Sequence, residues 1–163
     1  MHCEALGDPV EGSFVGVANI TKRTERKLAD QLEDDEIVEL ALLLEATGTY
    51  RLGAVRQAIG IDRLRDRRYR TSDRASPTGV AGEFPAPSCV LVATQHRVFA
   101  APSNGIRFGS IEFGRPLGHV WMTLEKWRLG RQVELSFNDG SHLRADVGRG
   151  QPFDQMAARL ATR

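Results

Sequence analysis

Cysteine, aromatic residues and any excess of charge are what this chain has least of. Its two cysteines, Cys3 and Cys89, lie far apart in 163 residues. A disulfide framework needs more and closer partners, so they point to a reducing compartment. Basic and acidic side chains number 22 and 21, for a net charge of +1. A protein that coats nucleic acid carries a larger basic excess, which argues against that partner class. No stretch approaches the roughly 18–20 apolar residues of a spanning helix. The N-terminus lacks a basic-then-apolar leader, and His2 after the first Met removes the myristoylation pattern. A cytoplasmic location is the expectation.

Chemistry-bearing clusters are also scarce. None of His2, His96, His119 and His142 pairs with a Cys or carboxylate at metal-ligand spacing. Cys89 begins a predicted strand and reads as a small buried hydrophobe. Ser110 follows Gly109, but outside any Gly-x-Ser-x-Gly element. Gly105, Gly109 and Gly114, separated by Phe108, Ile111 and Phe113, read as turns between short strands rather than a phosphate loop. Asp30, Glu33, Asp34, Asp35 and Glu36 read as a solvated, mutually repelling junction. The expectation is a non-enzymatic chain with no cofactor, no metal and no small-molecule substrate.

What is present is period-2 patterning. Val90, Val92 and Thr94 alternate up to Gln95-His96, and an apolar run follows from Arg97. Val133, Leu135 and Phe137 alternate, Asn138-Asp139-Gly140 turns the chain, and Leu143, Ala145 and Val147 alternate again. Such runs between turn residues predict an antiparallel meander. Val38, Leu40, Leu42 and Leu44 alternate too, although Leu, Ala and Glu also favour helix. The sheet's need for a partner decides for strand. Seven strands result, at 37–44, 88–94, 97–101, 111–114, 119–127, 131–137 and 142–147. Gly150-Gln151-Pro152 then opens a helix carrying Phe153, Met156, Ala157 and Leu160 on one face.

The N-terminal part reads as helical. Asp8-Pro9-Val10-Glu11 starts a turn that Gly12 and Gly16 cut short, and Val17, Ile20, Thr24, Leu28 and Leu32 predict an amphipathic helix over 19–32. Its polar side mixes Glu25 and Asp30 with Lys22, Arg23, Arg26 and Lys27, which weakens a membrane-surface reading of that helix. The chain divides into a helical extension, 1–34, and a domain, 35–163, with a long insertion at about 48–87 between its first two strands. The insertion holds a predicted short helix at 52–58 and ends in Phe84-Pro85-Ala86-Pro87.

Leu91-Val92-Ala93-Thr94-Gln95-His96-Arg97-Val98-Phe99 resembles the strand–turn–strand signature, around a Thr-Asp-Arg-Arg element, of bacterial PH-like (pleckstrin-homology-like) domains in uncharacterised actinobacterial proteins. The Phe137-Asn138-Asp139-Gly140 hairpin and the short amphipathic end helix are similar as well. The resemblance spans roughly 35–162. The end helix departs from eukaryotic PH domains in lacking their usual Trp, with Phe153 or Met156 available for that space. The resemblance implies an α+β fold, mainly β, with a seven-stranded barrel of two nearly orthogonal sheets closed by the C-terminal helix. It also implies a non-catalytic binding or assembly scaffold.

The sharpest local feature is the segment 61–74, with six Arg, three Asp and Tyr69. Arg presents forked donors that fit phosphate oxygens. In lipid-binding PH domains the phosphates sit near the loop joining the first two strands, where this run falls. Arg63, Arg65, Arg67, Arg68 and Arg70 are therefore the candidate anion-binding residues, and an anionic membrane surface is the candidate partner. The plainer reading is a solvated segment in which Asp62, Asp66 and Asp73 offset part of the charge. A protein partner or self-association is the alternative. Trp121 and Trp127 share one face of a predicted strand, and Trp121 reads as core.

Overall fold

A computed structural model describes residues 17–46, 77–117, 122–126 and 132–161, with only the backbone for 17–19. The residues that set the fold lie in β2 (Ser88–Thr94), where all seven side chains are buried. A strand with no solvated position needs cover on both faces. It also needs hydrogen-bonded neighbours on both edges. Those neighbours are β1 (Val38–Ala46) and β3 (Arg97–Pro102), both antiparallel. Leu91 stands opposite Leu42 and Ala100, and Val92 opposite Ala41 and Phe99. The sheet is completed by β4 (Phe113–Pro116), β5 (Met122–Lys126), β6 (Gln132–Phe137) and β7 (His142–Val147), in the order β4-β3-β2-β1-β7-β6-β5.

The inner face is apolar across its width. Leu42, Leu44, Leu91, Ala100, Leu135, Leu143 and Ala145 point into one core. The helix α3 (Phe153–Ala161) lays Met156 and Leu160 onto it, with Phe153 and Ala157 alongside. A four-residue helix, α2 (Gly79–Gly82), buries Ala81 there. The Phe84 ring lies 4.5 Å from Phe113 of β4 and 5.4 Å from Phe137 of β6. One ring touching both strands requires the sheet to curl around it, as twisted sheets of this width do.

Among the described residues, the outer face is covered over β1, β2 and β3. There α1 (Val17–Lys27), followed by a 3₁₀ turn (Ala29–Gln31), brings Ile20, Leu28 and Leu32 over Val90, Val92, Phe99 and Ala101. Leu28 is fully buried, worth about 2 kcal/mol of transfer free energy. The predicted single helix over 19–32 is thus two pieces. Leu28 leaves α geometry (φ −111°, ψ 11°), and Arg97 Nη2 donates to the Gln31 carbonyl at 3.1 Å.

All seven predicted strands form, as does the end helix, including the ambiguous segment at 37–44. The barrel does not. The strands make one continuous sheet in which β4 and β5 are the two ends, and no ladder joins them among the described residues. β4 is four residues long and finishes on Pro116, a residue type confined to edges and bulges. The β6–β7 turn closes as expected. Phe137 N donates to Ser141 O, Gly140 N donates back to Phe137 O, and Gly140 takes φ +81°, open to glycine without strain.

Candidate functional site

Arg63, Arg65, Arg67, Arg68 and Arg70 lie outside the described residues, as do the predicted helix at 52–58, Trp121, Trp127, His2, His119 and Cys3. Cys89 is buried in β2, its thiol inside the inner core. His96 is exposed, 3.7 Å from Asp35, and His142 begins β7. Among the described residues, no three His, Cys, Asp or Glu side chains converge as a metal site would require.

Among the described residues, the most connected polar group centres on Glu36. Glu36 was expected in a solvated acidic junction, yet its side chain is fully buried against the β2–β3 turn. Arg97 grips it with both arms of the guanidinium, Nε to Oε1 at 2.8 Å and Nη2 to Oε2 at 2.7 Å. Thr94 Oγ1 donates to Oε1 at 2.8 Å, and the Glu33 amide donates to Oε2 at 3.2 Å. Thr94 Oγ1 also accepts from the amides of His96 and Arg97, which holds the turn. The Gln95 side chain ties the same turn to the backbone of Asp35 and Ile37. Arg97 lies over the Phe99 ring at 5.0 Å.

This clasp holds Glu36 ionised. The Arg97 guanidinium leads, ahead of the Thr94 hydroxyl and the Glu33 amide, in bringing its carboxyl down to about 2 against the opposing effect of burial. Glu36 in turn raises Arg97 further. A carboxylate this committed donates no proton near neutrality, so the group fastens the chain before β1 to the β2–β3 turn. The signal was present in Thr94-Gln95-His96-Arg97. What the sequence lacked was a reason to choose Glu36 over its acidic neighbours.

Two other polar assemblies stand out. On the outer face where β1 meets β7, Glu45 and Asp146 stand opposite each other and are almost wholly buried. Beside them Arg144 Nε donates to Glu134 Oε2 at 2.7 Å across β6 and β7. At the β6–β7 turn Asp139 Oδ2 accepts from Val80 N and Ser141 Oγ accepts from Ala81 N, fixing α2 to the hairpin. The Ser141 hydroxyl first, then the Val80 and Ser141 amides, hold the Asp139 carboxyl below its ordinary value.

No family model matches the chain, and neither a curated protein nor a solved structure matches it. No helix among the described residues is long and apolar enough to cross a membrane.

Proposed function

We propose that this chain is a PH-like, non-catalytic binding domain that contacts anionic surfaces from the cytoplasm. The observation that carries the reading is the strand order. A meander running β4-β3-β2-β1-β7-β6-β5, with the last helix laid on its inner face, is the path expected of that fold with its seam left open. A scaffold filled on its inner face leaves recognition to loops and outer surfaces. The longest interval between consecutive described elements runs from Ala46 to α2, and its sequence carries Arg63, Arg65, Arg67, Arg68 and Arg70. These five are the proposed lipid-headgroup contact, with no cofactor or metal.

The test is co-sedimentation with phosphatidylcholine vesicles with and without phosphatidylserine. The chain pellets only with the anionic vesicles, and replacing the five arginines with Glu abolishes this. Unchanged binding of that variant sinks their assignment. Self-association is the second reading, favoured by β4 and β5, edge strands with no neighbour beyond them among the described residues. A solution mass that rises with protein concentration would favour it.

A further inference from the structure

The helix α1 segregates its charge more cleanly than its sequence suggests. Thr24 and Leu28 are buried and Ile20 packs with Leu28 onto the sheet, a spacing of four that defines the inward stripe. Lys22 and Arg26 fall about half a turn away and are exposed, with Lys27 exposed and Arg23 half-buried on one flank. Glu25 lies on the other flank, and Asp30 belongs to the 3₁₀ turn rather than to this helix. The solvent side of α1 is therefore a basic stripe.

That stripe is joined to a built loop. Arg23 Nη1 donates to the Gly105 carbonyl at 2.7 Å. Ser103 Oγ accepts from the Gly105 amide at 3.0 Å, and Asn104 Oδ1 accepts from the amides of Ile106 and Arg107 at 3.0 and 2.8 Å. Gly105 takes φ +82°, which the turn needs and a side chain would resist. Below it, Phe108 and Ile111 pack into the same cluster as Leu28. This fixed turn holds Ile106 outward at 72% exposure, with Arg107 exposed beside it. An exposed Ile alone is ordinary. An aliphatic tip on a rigid turn, bonded to a basic helix, combines the two contacts that hold a protein to an anionic bilayer.

We propose that α1 and the 103–108 loop form a docking surface for anionic membranes. Lys22, Arg26, Lys27 and Arg107 engage phosphate-bearing headgroups, and Ile106 enters the interfacial layer. Nucleic acid fits less well, because the protruding group has no π-face for a base to stack on. The inference rests on the reading of the chain as a binder of anionic surfaces. It assigns that contact to residues separate from the Arg-rich insertion.

The test compares four full-length proteins on vesicles containing phosphatidylserine at about 30 mol %. They are the wild type, Lys22→Gln/Arg26→Gln/Lys27→Gln, Ile106→Ser, and the five-Arg→Glu variant of the insertion. Arg23 is left intact because it holds the loop, and circular dichroism confirms that each variant is folded. Neutralising three cations lowers vesicle affinity ~100-fold at low salt, at about a factor of five per charge near the surface. Ile106→Ser lowers it about tenfold, equally at low and high salt, because the lost contact is apolar. Wild-type binding of both α1 and Ile106 variants, with loss in the insertion variant, overturns this inference and keeps the Arg63–Arg70 reading. The reverse pattern supports the docking surface and removes that reading. No vesicle binding by the wild type overturns both. Binding to a DNA oligonucleotide that the triple variant loses, with Ile106→Ser unaffected on vesicles, also overturns the proposal.

Discussion

The outer face of the sheet changes character at β1. On one side, Ala41, Val90, Val92, Phe99 and Ala101 are buried beneath α1. On the other, Thr123, Gln132, Glu134, Ser136, His142 and Arg144 occupy the same face and keep partial exposure. The inner face is apolar throughout, so the difference is confined to one side of one sheet. The sequence carries it directly. β6 alternates apolar and polar residues along Gln132–Phe137, whereas β2 has an apolar core from Cys89 to Ala93 with no polar interruption. A strand buried on both faces loses its period of two. The N-terminal helix is thus a consequence of β2: the second face of that strand cannot be left in water.

Substitutions on either side of β1 test how far the two halves differ. The largest effect belongs to Arg97, which pins the end of the α1 segment to the sheet through Gln31 and Glu36. Arg97→Ala strands a buried carboxylate and loosens the cover over the apolar half, at a cost of about 4 kcal/mol in urea unfolding. Arg97→Lys recovers only part of this, since an ammonium cannot reproduce the two-armed contact. Acid provides an independent check. Glu36 sits near 2 in the folded protein against an ordinary 4.5, so its contribution is complete above about pH 4.5 and is lost as pH falls towards 2. That gap corresponds to about 3 kcal/mol. Glu36→Gln, which cannot titrate, should have a flatter stability profile across this window. Parallel profiles would show that the clasp is not electrostatic.

Next in size is the cover itself. Leu28→Ala removes a fully buried side chain from above Val90, Val92 and Phe99, and should cost about 3 kcal/mol. Ser136→Ala, on the same face of the polar half, should change stability by no more than about 0.5 kcal/mol. Equal effects would mean that α1 is a loosely attached extension. Deleting residues up to Leu32 is accordingly a poor probe of any assembly role, because it uncovers Phe99 and its neighbours.

Much of this fold was legible because local patterning and tertiary need agreed. The β6–β7 hairpin was specified by Phe137, Asn138, Asp139 and Gly140, and the end helix by Pro152 followed by Met156 and Leu160. The segment at 37–44 was ambiguous in isolation, and its pairing with β2 on one edge and β7 on the other decides it. The open seam was not legible, since closure depends on how far the sheet curls around Phe84, a long-range property. The site residues fared less well. Glu36 is identical in type to the acids around it, and only Arg97, 61 residues further on, distinguishes it. Ile106 stands in the sequence as one apolar residue among turn residues, and its projection depends on the side chains of Ser103 and Asn104.

The smallest effect is also the one that runs toward higher stability. Thr24 is fully buried between α1 and the sheet, and its hydroxyl meets no hydrogen-bonding group among the described residues. Among the described side chains on the inward stripe of α1, it is the one whose chemistry belongs to the other half of the outer face. A buried hydroxyl without a partner costs free energy that a methyl of similar size does not. Valine is slightly worse than its neighbours in a helix, but that penalty is only a few tenths of a kcal/mol. Thr24→Val should therefore stabilise the protein by about 1 kcal/mol, read as a shift in the urea midpoint with an unchanged slope. Extending the apolar face by one position would then make the contrast across β1 sharper. A loss of stability would mean that the hydroxyl has a partner and that the boundary between the halves reaches under α1 itself.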